Sequence, residues 1–219
     1  MDKLTIMLAA YAPLLLKGLY TTLLLWFTAS IISLVFGIVM GVLRSNVLRT
    51  SPISELLDCI TFVLRAIPFY VQLLIVYFGI PGVLLINISA FNASLIALGL
   101  CSAAYVSQIV RGGINAISLG QWEAAHVLGC STVQTVRFII IPQMLNITLP
   151  ALVGECDQLL KSTAIVSTIG VLELTGAGKN IVAQEMNPLT IYALLAITYL
   201  VISTVLAALS VFVERRMCR

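Results

Sequence analysis

Five long apolar segments dominate this sequence of 219 residues. A helix needs about 20 residues to cross the hydrocarbon core of a bilayer, and each of the five segments reaches that length. Backbone groups in lipid must hydrogen-bond within their own segment, so each segment is predicted to be a helix. Charged residues make up only 10% of the chain, too few to coat a soluble domain. We therefore predict one all-α integral membrane domain over 1–219, with spans at 18–43, 56–80, 90–110, 141–169 and 189–213.

Basic residues are divided unevenly between the two sets of connections. One set holds Arg44, Arg49, Arg111, Arg137, Arg215, Arg216 and Arg219, and the other holds Lys3, Lys17 and Lys179. Because basic residues favour the cytoplasmic side, the amino terminus is predicted outside and the carboxyl terminus in the cytoplasm. The residues before Lys17 are interpreted as a short helix on the membrane surface. The connection between spans three and four, residues 112–140, is then cytoplasmic.

This predicted cytoplasmic connection has a pattern typical of two short capped helices. A Ser-x-x-Gln spacing, in which each side chain can bond the other residue's backbone N–H, occurs twice in it. The two pairs are Ser118 with Gln121 and Ser131 with Gln134. The first pair predicts a helix over 119–128, and Gly129 suits the left-handed residue that ends such a helix. We therefore expect an ordered surface rather than a flexible link.

The same connection carries the pattern E-A-A-x3-G-x9-I-x-I-P, from Glu123 to Pro142. This pattern resembles the EAA loop of ABC importer permeases, although Ile141 stands where that family usually has leucine. The resemblance implies that the loop forms coupling helices, which dock in a groove of a cytoplasmic ATPase. The implied coupling residues are Glu123, Ala124, Ala125, Gly129, Ile139 and Pro142. Trp122 beside them fits either the docking surface or an anchor among lipid headgroups.

Three further segments resemble the polar-amino-acid branch of that family. They are L-R-A-I-P from Leu64 followed by V-Q-L from Val71, A-Y through R-G-G from Ala104 to Gly113, and L-K-S-T from Leu160. Ala66, Ile67 and Ser162 depart from the family pattern. The resemblance implies that the chain forms the pathway for an amino acid across the inner membrane of a bacterial cell.

The resemblance also implies the partners of the chain. Importers of this kind place two permeases, either two copies or one copy and a sister subunit, on a cytoplasmic ATPase dimer. A periplasmic or extracellular binding protein delivers the amino acid, and membrane lipid surrounds the spans. ATP and Mg²⁺ are used by the ATPase, so this chain is expected to bind no cofactor and to be no enzyme. One histidine and scattered cysteines predict no metal site, and the basic residues form no stripe typical of nucleic-acid binding.

The fourth predicted span contains charged residues, which are costly in lipid and therefore require a partner or a function. Asp157 and Lys161 have the acid-first i,i+4 spacing and are predicted to pair with each other. At 100° per residue, Glu155, Gln158 and Ser162 share another face of the helix, which is predicted to line the substrate pathway.

Glu155 has two interpretations. Its carboxylate meets the cationic group of arginine, lysine or histidine, since some members of the family that carry basic amino acids have glutamate at the matching position. Alternatively, it pairs with an arginine of another helix or of a partner subunit, and Arg65 is one candidate. The two interpretations predict different effects of Glu155→Gln on the uptake of basic amino acids.

The connection at 172–187, on the predicted outer side, contains Glu173, Lys179 and Glu185. It resembles the place where a binding protein docks, although single charges there are also explained by solvation.

Two other classes of function are left open. An ion-gradient-driven secondary transporter or channel predicts uptake that survives depletion of ATP. A membrane scaffold without transport activity predicts a cytoplasmic partner other than an ATPase on the 112–140 surface.

Overall fold

The computed structural model describes residues 3–46, 49 and 52–217, and the regular structure of that part of the chain is helical. The helices are α1 Lys3–Leu43, α2 Ile53–Ala66, α3 Phe69–Leu84, α4 Ala90–Asn115, α5 Leu119–Val127, α6 Thr132–Ile169, α7 Leu174–Glu185 and α8 Pro188–Met217. Within α3 and α6 the backbone forms π-helical turns at Ile75–Gly79 and Val136–Ile140, and α6 closes in a 3₁₀ turn at Thr163–Ile169. The predicted all-α class is confirmed.

Four of these helices are long and apolar enough to cross a membrane: α1, α4, α6 and α8. The pair α2 and α3 makes a fifth span if the two helices are counted together. Large apolar side chains on α1 and α8 are exposed, including Phe27 at 59%, Leu189 at 83% and Leu200 at 66%. So much exposed apolar surface on long helices requires lipid as its solvent.

The first helix corrects one prediction. A separate surface helix before the first span was expected, but α1 is continuous from Lys3 through Lys17 to Leu43. Gly18 lies within this helix, and the start of α7 packs directly against it. A Cβ at Gly18 would sit 3.0 Å from the Glu173 carbonyl oxygen and 3.0 Å from the Ala177 Cβ. Close packing therefore explains why a glycine stands at position 18.

The second predicted span, 56–80, is interrupted rather than continuous. Helix α2 ends at Ala66, and Ile67 has the extended angles φ −86° and ψ 131°. Pro68 follows, and its ring disfavours the helical conformation for the residue before it. The prediction of one uninterrupted helix is wrong at this point because proline imposes the break.

The fourth predicted span begins earlier than expected. The sequence predicted a separate loop helix that joins the span near Pro142, whereas α6 is one helix from Thr132 onward. The π-helical turn ends at Ile140, the next N–H, that of Ile141, bonds to the Val136 carbonyl, and Pro142 follows Ile141. This wider bonding accommodates one extra residue per turn, so the helix passes the proline without ending.

The chain divides into two compact units. The first unit combines Pro68–Gly99 and Cys156–Val205 with the chain up to Ile31, and the second combines Ile32–Ile67 and Leu100–Glu155 with the chain from Leu206 onward. The core of the first unit includes Leu25, Leu73, Leu98, Leu159 and Val166. The core of the second unit includes Val106, Val110, Ile114, Ile140 and Met144.

Glycines bring two helices of the second unit close together. A Cβ at Gly37 would lie 2.5 Å from the Val106 side chain, and one at Gly41 would lie 2.6 Å from that of Val110. Helices in membranes associate through such small residues because their backbones can then approach each other. This packing fixes α1 against α4, the helix that leads into the 112–140 connection.

Candidate functional site

Helix α5 and the start of α6 form the surface predicted to couple to an ATPase. Gly129 ends α5 with φ +77°, and the Cys130 N–H bonds to the Ala125 carbonyl at 3.0 Å, as the left-handed stop requires. The predicted helix over 119–128 is thus found as Leu119–Val127. A Cβ at Gly129 would have open space around it, so glycine is required here for its backbone angles alone.

Only one of the two predicted capping boxes forms. At Ser131 both bonds are present: the Gln134 N–H donates to the Ser131 hydroxyl at 3.3 Å, and the Ser131 N–H donates to the Gln134 side chain at 2.8 Å. Ser118 occupies the same position before α5, but its side chain makes no capping bond. The Gln121 side chain instead accepts a hydrogen bond from Gln143 at 3.4 Å. The prediction at Ser118 is therefore wrong.

The two serines provide a matched pair of substitutions. Ser131→Ala removes a formed cap and is expected to lower the free energy of unfolding by about 1 kcal/mol. Ser118→Ala removes no capping bond and is expected to change it by less than about 0.5 kcal/mol. Thermal unfolding of the purified chain in detergent measures both, and equal effects of the two substitutions would contradict the cap assignment.

The six predicted coupling residues divide between solvent and core. Those that face outward are Glu123, Ala124, Gly129 and Pro142, and those that face inward are Ala125 and Ile139. Ala125 is only 1% exposed, and Ile139 packs against the core of the second unit together with Trp122. The inward residues therefore hold the loop on the core, and the outward ones are available for contact.

Apolar side chains increase the contact surface of this loop. Val127 is 87% exposed, Leu128 is 79% exposed and Val133 is 75% exposed. Beside them is an open groove of about 330 Å³, lined by Trp122, Glu123, His126, Thr132 and Thr135. Exposed apolar side chains on the same short segment as a groove with one carboxylate form a surface suited to a protein partner.

Two charged residues of α6, Asp157 and Lys161, have the partners that their spacing indicated. The Lys161 ammonium group donates to Asp157 Oδ2 at 2.5 Å, so the predicted i,i+4 ion pair is present. In the same unit, Gln158 is exposed, and the Ser162 hydroxyl donates to the Gln158 carbonyl oxygen at 2.9 Å.

Glu155 lies in the second unit and is half-buried. Its Oε1 accepts a hydrogen bond from the Ser102 hydroxyl of α4 at 2.7 Å. Within the described residues, Arg65 is not an ion-pair partner of Glu155, because its guanidinium lies over the Tyr105 ring, 5.8 Å from the centroid. The site thus contains a carboxylate held by a neutral donor. Ser102 could not be found from the sequence, since it is 53 positions away from Glu155.

Glu173 was interpreted as a charge of an outer loop, but it is fully buried and caps a helix that the sequence did not predict. Its Oε1 accepts from the Gly176 N–H at 2.6 Å, and its Oε2 accepts from the Thr175 N–H at 2.9 Å. The Thr22 and Tyr199 hydroxyls also donate to Oε2, at 3.4 and 3.2 Å. One carboxylate therefore joins α1, α7 and α8.

Replacement of this carboxylate is expected to destabilise the protein. Burial raises the pKa of the Glu173 carboxyl above its ordinary value of 4.5, although the four donated hydrogen bonds oppose this shift. Glu173→Ala leaves several buried donors without an acceptor, and we expect it to lower the free energy of unfolding by about 3 kcal/mol. Glu185→Ala, at the exposed end of the same helix, is the control and is expected to cost less than about 1 kcal/mol. Unfolding in mixed micelles measures both, and similar losses would contradict this role.

Within the described residues, no group of three or more His, Cys, Asp or Glu side chains is arranged to hold a metal ion.

The family model and the similar proteins are all membrane components of transport systems. Residues 33–219 match the family model described as binding-protein-dependent transport system inner membrane component. The chain is 37% identical over 205 residues to the arginine transport system permease protein ArtQ of Bacillus subtilis (strain 168), covering 94% of this chain and 93% of that protein. It is 34% identical over 211 residues to the nopaline transport system permease protein NocM of Agrobacterium fabrum (strain C58 / ATCC 33970), covering 92% and 87%.

Solved structures share the fold. A chain from the structure described as an amino acid ABC transporter with histidines aligns with a TM-score of 0.87 at 36% identity, over 99% of both chains. A chain of the MetNI methionine ABC transporter in an inward-facing conformation aligns with a TM-score of 0.84 at 19% identity, which is a likeness of fold alone.

Proposed function

This chain belongs to the family of binding-protein-dependent transport system inner membrane components, and we propose that its cargo is an amino acid with a cationic side chain. As a member of that family it is a membrane-spanning permease subunit of an ABC importer. The observation that carries the proposal about cargo is the carboxylate of Glu155, held by Ser102. A carboxylate within a span is costly unless it meets a positive charge, and a basic amino acid supplies one. The relative named for arginine transport supports the same class of cargo.

The outward residues of the loop are proposed to contact a cytoplasmic ATPase dimer. Glu123, Ala124 and Gly129 are exposed, and Glu123 also lines the groove. This contact requires the loop in the cytoplasm, with the amino terminus outside and the carboxyl terminus inside, as the basic residues predict. Pro142 and the inward-facing Ala125 and Ile139 complete the proposed coupling set by positioning the loop.

We extend the proposal to the remaining partners, which membership of this family supports. A second permease, either another copy or a sister subunit, completes the pathway, and a periplasmic or extracellular binding protein delivers the amino acid. ATP and Mg²⁺ are used by the ATPase subunits, while this chain supplies the pathway and binds no cofactor. ATP closes the ATPase dimer, the coupling surface moves with it, and the spans open the pathway outward. Hydrolysis then restores the inward-open state.

The assembled importer in liposomes tests this proposal. We expect uptake of arginine, lysine or histidine to require ATP on the ATPase side and the binding protein on the opposite side. Uptake that persists without ATP and follows an ion gradient would favour a secondary transporter or channel. An assembly that binds cytoplasmic protein but moves no amino acid would favour a scaffold.

A further inference from the structure

Three arginines meet at one aspartate in the second unit. The Arg44 Nε lies 2.8 Å from Asp58 Oδ1, and an Nη of Arg111 lies 2.9 Å from the same oxygen. An Nη of Arg49 lies 3.3 Å from Oδ2. Arg44 also donates to the Ser107 hydroxyl at 2.8 Å. The cluster thus joins the chain after α1, the second turn of α2 and the end of α4.

The charges of this cluster do not balance. One carboxylate faces three guanidinium groups, and even Glu55, one turn earlier on α2, would leave positive charge in excess. The Arg44 side chain is 3% exposed and donates to both Asp58 and Ser107. The Arg111 side chain is 25% exposed and that of Arg49 is 41% exposed. A guanidinium has five N–H donors, and the ion pairs of the described residues use one each from Arg49 and Arg111. Both side chains therefore retain donors and charge for an external anion.

Apolar side chains adjoin this positive charge. Leu43, which ends α1 beside Arg44, is 39% exposed. Ile53 and Leu56, in the first turn of α2, are 55% and 62% exposed. The cluster lies at the ends of α1 and α4 that the basic residues predict to be cytoplasmic, so we expect it near the lipid headgroups. Positive charge next to exposed apolar surface matches a molecule with an anionic head and a hydrocarbon tail.

We propose that Arg49 and Arg111 bind the phosphate of an anionic phospholipid in the inner leaflet, with Asp58 and Arg44 as the fixed base of the site. Guanidinium groups recognise phosphate oxygens through paired charge-assisted hydrogen bonds. The cytoplasmic leaflet is the anionic one, and basic pockets among spans on that side bind such headgroups. The bound lipid stabilises the junction of α1, α2 and α4 by neutralising the excess charge.

Lipid-dependent unfolding of the full-length chain tests this site. The protein is purified in neutral detergent, and its thermal midpoint is measured with increasing phosphatidylglycerol, phosphatidylcholine of the same acyl chains, or inorganic phosphate. We expect phosphatidylglycerol to raise the midpoint and the other two to leave it nearly unchanged. Arg49→Gln and Arg111→Gln are each expected to weaken the apparent affinity for phosphatidylglycerol about tenfold, as loss of one charge-assisted contact implies.

Arg137→Gln is the matched control, because Arg137 is exposed and lies over the Phe138 ring at 5.4 Å, outside the cluster. Its affinity for phosphatidylglycerol is expected to equal that of the unmodified chain. An equal loss in this control, or no loss in Arg49→Gln, would overturn the proposal. Stabilisation by inorganic phosphate as strong as that by the lipid would overturn the assignment to lipid. The measurement requires no transport, so its result is independent of the proposed cargo.

Discussion

Glu155→Gln is expected to lower uptake of arginine, lysine and histidine by at least about tenfold, while uptake of a neutral amino acid such as glutamine is retained. The amide keeps the size of the side chain and can still bond the Ser102 hydroxyl, which lies 2.7 Å from the carboxylate. It removes the negative charge, and a charge-assisted hydrogen bond is worth about 1.5–3 kcal/mol, which corresponds to a factor of ten or more in binding. Initial uptake rates into liposomes, measured for each amino acid separately, give the comparison.

Two controls separate charge from structure. Asp157→Asn changes a carboxylate of the same helix that is already paired with Lys161, and it is expected to affect all cargoes alike. Ser102→Ala keeps the charge of Glu155 and removes the donated hydrogen bond. We therefore expect a smaller loss of basic amino-acid uptake, mainly as a higher KM. If Glu155→Gln left uptake of all three basic amino acids unchanged, the substrate role of Glu155 would be excluded.

Gly129→Ala is expected to reduce ATP-driven uptake about fivefold and to weaken co-purification with the ATPase. Residue 129 has φ +77°, and an alanine in this left-handed conformation costs about 1–2 kcal/mol. No atom lies within 4 Å of the added Cβ, so the cost is conformational and displaces the turn between α5 and α6. A shift of about 1 kcal/mol changes the population of the docking conformation by roughly a factor of five.

Gly120→Ala provides the control for this prediction. Gly120 lies in α5, its added Cβ would also meet open space, and its backbone angles are helical. Alanine is favoured over glycine within a helix by up to about 1 kcal/mol, so this substitution is expected to preserve or increase stability and to leave uptake intact. Equal losses from both substitutions would show that the surface tolerates no added methyl group and would contradict a conformational role for Gly129.

The sequence predicted those features of the fold that depend on neighbouring residues. The ion pair of Asp157 with Lys161, the cap at Ser131 and the stop at Gly129 each involve residues at most five positions apart. The identical Ser-x-x-Gln spacing at Ser118 failed because Gln121 meets Gln143, which is 22 positions away. Local spacing permits a cap but cannot exclude a competing distant partner.

Helix α7 shows that the role of a glycine also cannot be predicted from its neighbours in the sequence. The 172–187 segment was predicted as a connection between spans, but Gly176 and Gly178 within it lie in a helix. A Cβ at Gly178 would lie 2.4 Å from the Leu195 side chain of α8. The glycine is needed for close approach of two helices, and a single sequence does not distinguish this use from a turn.

The polar contacts of the candidate sites are the least predictable part. Ser102 meets Glu155 across 53 positions, and Thr22 meets Glu173 across 151. Such contacts depend on which helices are neighbours, which the apolar pattern of each span leaves open. By contrast, the break before Pro68, which we did not predict, has a local cause, since proline restricts the residue that precedes it.

The continuity of α6 connects the start of this helix mechanically to the residues near its middle. From Thr132 to Glu155 the chain is one helix within one unit, about 35 Å long at about 1.5 Å per residue. A displacement of the helix start at the Ser131 cap is therefore transmitted toward Glu155 without an intervening loop. Within this stretch, the i→i−4 bonding is interrupted at the π-helical turn Val136–Ile140 and at Pro150, so bending of the helix is expected at these two places first.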